Sequence, residues 1–151
     1  MSGTIEKVLP YLGEKPPKVS PRHAVSEPGA TGVMTIFRAP QLTSKAVGRL
    51  ATKLAVNTET VLDVSDISAR TFHRRQAKQE RLTEAESDRV LRIARVASEA
   101  ERVFGDAAKA GRWLSSVSTI LGAKPLDLLA TDAGARDVEY ELIRIDQGDF
   151  A

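Results

Sequence analysis

Three features of the 151-residue sequence predict an all-α fold. No segment sustains the apolar and polar alternation of a strand, apolar residues past Pro40 recur at three- and four-residue spacing, and capping residues punctuate those runs. The predicted order is a helix-turn-helix half followed by a small helical domain. The expected regions are a mostly disordered, proline-rich arm at 1–40, a helix-turn-helix region at 41–99 and a terminal domain at 100–151.

Six of the seven prolines fall in the first 40 residues, in stretches such as GEKPPKVSPRHAVSEPGATG, where repeated X-Pro restriction opposes helix and sheet alike. The short apolar piece VMTIF within the arm is long enough only to pair or dock as an extended segment. Beyond Pro40, Ala46, Val47, Leu50, Ala51, Leu54 and Ala55 place one apolar stripe on a helix from about Thr43 to Val56. Asn57 or Thr58 then opens a short helix carrying Val61, Leu62 and Val64. The turn SDIS leads into a helix capped by Ser68, which completes the helix-turn-helix order.

Thr83 and Glu86 stand in capping-box spacing at the head of a long helix, Val90, Ile93, Ala94, Ala97, Ala100 and Phe104 mark its inner face, and Gly105 ends it. A short amphipathic piece around Trp113 and Leu114 follows, then the turn LGAKP and a short helix PLDLLA with Pro125 at its first position. A last helix ends near Gly148. Trp113, Leu114, Leu126, Leu128 and Leu129 read as core, and Gly122 and Gly134 as positions of positive φ.

Composition narrows the function. The chain has no cysteine, which removes disulfides, thiolate metal sites and a cysteine nucleophile and fits a cytoplasmic location. No apolar run approaches the roughly 18 residues that cross a bilayer, and no signal-peptide pattern opens the sequence, so no membrane role is expected. His23 and His73, in the arm and against the core, suit neither a metal nor a general base, and no GxSxG, P-loop or dinucleotide fingerprint occurs. The expectation is a protein that is not an enzyme and carries no cofactor or metal.

Net charge is only +2, yet residues 132–151 carry −4, leaving +6 on the rest. The basic residues gather on the helix after the tight turn. At 100° per residue, Arg70, Thr71, Arg74, Arg75, Lys78 and Arg81 share one face of a helix from Ala69 to Arg81, while Ala69, Phe72, His73, Gln76 and Ala77 occupy the other. Cations on such a helix reach phosphates, and an arginine near its start can contact guanine O6 and N7 in the major groove. Arg70, Thr71, Arg74, Arg75 and Lys78 are therefore the predicted DNA contacts.

The segment from Ala100 to Gly148 carries VFGD, WL, LGAKPLDLL, TDAG and a closing RIDQG in a spaced order. It resembles the C-terminal toxin-binding domain of the Xre/MbcA/ParS antitoxin family, and RTFHRR extends the resemblance upstream to about Leu42. Many members place Pro-Asn where this chain has Ser116, Val117 and Ser118.

The resemblance implies an antitoxin of a type II toxin–antitoxin system, whose upstream half binds operator DNA and represses its own operon. Its downstream half would cover a cognate RES-domain toxin that consumes NAD⁺. The alternative is a regulator or adaptor of the same fold without a toxin partner. Helix-turn-helix proteins read paired half-sites as homodimers, so a homodimer and a higher-order complex with the toxin are expected. Tyr140, Arg144 and Asp146 on the last helix, with Asp149 and Phe150 after it, are the predicted toxin contacts. Within that stretch, the acidic strip of Asp137, Glu139, Glu141, Asp146 and Asp149 suits a cationic active site.

Overall fold

The computed structural model describes residues 2–16 and 40–148. It begins with a helix that proline content argued against. Helix α1 spans Ser2–Tyr11 and carries Pro10 in its final turn. There the missing N–H removes a single hydrogen bond and the fixed φ suits a helix. Val8, Leu9 and Leu12 are buried, and the α1 face packs on the long helix α5, Glu84–Phe104. The expectation of an unstructured arm is thus corrected for 2–16, because this apolar stripe has a core to enter. VMTIF and His23 lie outside the described residues.

Two side chains fix the end of α1. Arg49 donates to the carbonyl oxygens of Leu12 at 3.0 Å and Gly13 at 2.8 Å, and Glu14 accepts from the Thr43 amide at 3.0 Å. Tyr11 lies under Lys53, whose Nζ is 4.1 Å from the ring centroid. Burial, then the negative charge of the adjacent Glu101 and a hydrogen bond from the hydroxyl to it, hold the Tyr11 phenol above its ordinary range.

The helix-turn-helix follows in the predicted order. Helix α2 covers Ser44–Leu54 and ends at Ala55 in the left-handed region; α3 covers Thr58–Val64 with Asn57 as its cap; α4 covers Ala69–Lys78. Their inward side chains, among them Val47, Leu50, Val61, Leu62, Ile67 and Phe72, form a core continuous with that of α5. A single antiparallel bridge, Thr43 to Arg81, is the β pairing among the described residues. It is extended by the buried Ser87 hydroxyl, which accepts from the Leu42 amide at 3.0 Å.

Helix α5 opens with the predicted capping box of Thr83 and Glu86 and closes at Gly105, whose φ of +67° lies where glycine is favoured. It runs through both halves of the molecule, touching α1 and α2 as well as α6, Ala107–Ser115, and α8, Asp132–Asp146. Helix α7, Pro125–Leu128, joins α6 to α8. Gly122 has the expected positive φ, but Gly134 does not. Gly134 sits inside α8, where a Cβ would collide with the Leu128 carbonyl oxygen, so close approach of α7 is the reason for glycine there.

Candidate functional site

Two surfaces carry side chains that the fold does not consume. The first is on α4. Ser68 caps the helix by accepting from the Thr71 amide at 3.1 Å, and Phe72, 3% exposed, pins it to the core. Before it, Asp66 takes a φ of +51° in the tight turn, and Arg89 of α5 reaches the carbonyl oxygens of Ser65 and Asp66 at 3.4 and 3.5 Å. The orientation of α4 is therefore set from the middle of the molecule.

That orientation splits the predicted basic face. Arg75 points inward with a side chain only 14% exposed and is ion-paired with Glu86; Thr71 is half-buried beside it. Burial alone would raise the Glu86 pKa, but hydrogen bonds from Thr83 and the charge of Arg75 outweigh it and hold the carboxyl below its ordinary value. Arg70, Arg74 and Lys78 remain exposed at four-residue spacing on one stripe. His73 is exposed beside them, not against the core, with its ring edge-on to Phe72 at 5.5 Å. Helix α4 stops at Lys78, and Arg81 lies beyond it, donating to the Gln41 carbonyl oxygen at 2.7 Å. The outward arc is thus Ala69, Arg70, His73, Arg74, Gln76, Ala77 and Lys78, so of the face expected against the core only Phe72 is buried.

The second surface is built by α8 and the loop after α6. Thr131 caps α8 by accepting from the Gly134 amide at 3.0 Å, and Val138 and Leu142 bury its inner face. Three acidic residues at seven-residue spacing face α5: Asp132 pairs with Arg92 at 2.7 Å, Glu139 with Arg95 at 2.9 Å and Asp146 with Arg102 at 2.8 Å. Both series rise together, so α5 and α8 run parallel. Glu141 is 9% exposed and pairs with Arg144 at 2.8 Å. Of the acidic strip within the described residues, only the exposed Asp137 is outside these pairs; Asp149 and Phe150 lie outside the described residues. Arg144 and Asp146 are therefore engaged within the chain, and Tyr140, 66% exposed, is the predicted contact on α8 that stands free in solvent.

Sequence spacing missed the apolar neighbours of Tyr140. The large hydrophobic residues exposed among the described residues are Val117, Ile120, Tyr140 and Ile143. Ile120 and Tyr140 line one open groove, and Ile143 follows Tyr140 by one helical turn. Their signal was available: Val117 and Ile120 lie in a loop of serines and glycine rather than on a helical stripe.

The residues that punctuate this half are structural. Asp106 caps α6 through the Lys109 amide at 2.7 Å, Leu114 is fully buried, and Trp113 stacks at a tilt on Phe104 with centroids 5.5 Å apart. Among the described residues no group of three histidine, cysteine, aspartate or glutamate side chains is placed to hold a metal ion. No helix there is long and apolar enough to cross a membrane.

Comparison with known proteins matches residues 40–95 to the antitoxin Xre-like helix-turn-helix domain and residues 99–148 to the antitoxin Xre/MbcA/ParS C-terminal toxin-binding domain. A protein named antitoxin Xre from Pseudomonas putida is 41% identical over 83 residues, covering 54% of this chain and 52% of its own. Proteins of the same name from Yersinia enterocolitica and Photorhabdus laumondii are 36% and 34% identical, covering 60% and 58% of this chain and 63% and 61% of theirs. The matches thus span between half and two thirds of these relatives.

Proposed function

This chain belongs to the Xre/MbcA/ParS antitoxin family, and from that premise we propose that it neutralises a RES-domain toxin that consumes NAD⁺ and represses its own operon. The observation that carries the proposal is the division of free surface between two ends of one shared helix. Exposed cations and a histidine stand on the recognition helix, and exposed apolar side chains stand on the toxin-binding domain.

On the DNA side, Arg70, Arg74 and Lys78 contact phosphates or base edges and His73 faces the same groove, while Arg75 positions the helix through Glu86. A homodimer presents two such helices to operator half-sites roughly 34 to 36 Å apart. On the toxin side, the last helix and the residues beyond Gly148 cover the NAD⁺ site, with Tyr140, Asp149 and Phe150 in contact and Arg144 and Asp146 holding α8 in place. The protein acts as an inhibitor in the cytoplasm, not as an enzyme.

The test is made in bacteria expressing a RES-domain toxin, that of the adjacent gene where the operon carries one. Co-expression of the full chain should restore both NAD⁺ content and growth, and a chain lacking Gly148–Ala151 should restore neither while keeping its helical signal. Rescue by the truncated chain would remove the tail from the block. Failure of the full chain to rescue would remove the antitoxin role for this pair.

A further inference from the structure

We infer that the toxin docks on the apolar groove centred on Ile120 and Tyr140, with the exposed Val117 and Ile143 three residues from them in sequence, and that this surface, rather than the acidic residues of α8, supplies most of the affinity. The inference rests on the antitoxin reading and deepens it by naming the contact. These four residues are 66%, 56%, 66% and 47% exposed, while residues 40–95 present no comparable large hydrophobic among those described. Exposed apolar residues scattered singly are ordinary, but Ile120 and Tyr140 share a groove and Ile143 extends it by one turn.

Three observations choose the occupant. The surface falls within the segment matched to a toxin-binding domain, and its Tyr140 and Ile143 lie on the helix whose sequence continues to Asp149 and Phe150. Four of the five acidic residues described on α8 are already paired: Asp132, Glu139 and Asp146 with three arginines of α5, and Glu141 with Arg144. The groove itself is lined by Ile120, Leu121, Leu128 and Tyr140 with a polar rim of Asp137 and the Glu141–Arg144 pair, the anatomy of an interface centre. The partner is therefore a toxin surface with an apolar recess, in which Tyr140 and Ile120 are the central anchors.

The experiment uses the full chain carrying Ile120→Asp and Tyr140→Asp, with Ile120→Ala and Tyr140→Ala as a milder pair. The probe is a purified RES-domain toxin, that of the adjacent gene where the operon carries one. Both positions are exposed, so helical signal and operator binding should match the wild type. Toxin affinity should fall about a hundredfold or more for the aspartate pair, as expected when two central anchors are lost. Wild-type affinity should change little as salt rises, because screening acts on charges and not on apolar contact. Undiminished binding by the aspartate pair overturns the inference while leaving the antitoxin reading intact. A change in the oligomeric state of the isolated variant with unchanged toxin binding also overturns it and assigns the surface to a second copy. If the wild-type chain binds no toxin, both readings fall together.

Discussion

Deletion of residues 2–12 is expected to abolish the cooperative unfolding transition of the full chain. The segment contributes Val8 at 4%, Leu9 at 1% and Leu12 at 0% exposure to the core, and α5 packs directly on it. Truncating one buried leucine to alanine costs about 2–5 kcal/mol, and a domain of this kind has only about 5–15 kcal/mol in total. Loss of all three, with the Tyr11 contacts to Lys53 and Glu101, therefore removes most or all of the stability. Leu12→Ala provides the graded version, with an expected loss of about 2–5 kcal/mol measured by chemical denaturation. A truncated chain that melts within a few degrees of the full chain would mean that α1 is an ornament on a core that closes without it.

Replacing Arg70, Arg74 and Lys78 together by alanine is expected to weaken operator binding about a hundredfold or more and to lower the salt slope by about three. These side chains point outward, so thermal stability and toxin binding should be unchanged. Arg75→Ala should behave in the opposite way. Its side chain is 14% exposed and paired with Glu86 at the head of α5, so its loss lowers the melting temperature and leaves the salt slope close to that of the wild type. Equal salt slopes for the triple variant and the wild type, measured from low to moderate salt, would take α4 out of the DNA interface.

The contrast between Arg75 and His73 shows where sequence reading reaches its limit. Spacing gives the angle between side chains on a helix, but one buried aromatic, Phe72, does not fix which arc faces the core. Glu86, eleven residues later, draws Arg75 inward and turns His73 out, a tertiary contact that no local pattern contains. Caps, by contrast, act within three residues, and Asn57, Ser68 and Thr83 were all legible because hydroxyl or amide and target amide belong to one turn.

Helix α1 is legible in the sequence: Ile5, Val8, Leu9 and Leu12 stand at the helical spacing i, i+3, i+4 and i+7, a signal that the high proline content of residues 1–40 masks. The acidic strip failed for another reason. Composition placed its charge correctly, but the arginines of α5 that neutralise it are some 40 residues away in sequence and meet it only because the two helices run parallel. The landmarks of the C-terminal half identified the family although Leu114, Gly134 and Asp106 hold packing and caps, whereas the free surface lies between them on residues such as Ile120.

The most direct measurement of the proposed antitoxin role is the rate of NAD⁺ consumption by a purified RES-domain toxin, that of the adjacent gene where the operon carries one, as the full chain is titrated into it. The rate should fall in proportion to added chain and reach background once the complex is complete, without any modification of the toxin. An unchanged rate at large excess of the folded chain would contradict the proposal that this protein inhibits that enzyme.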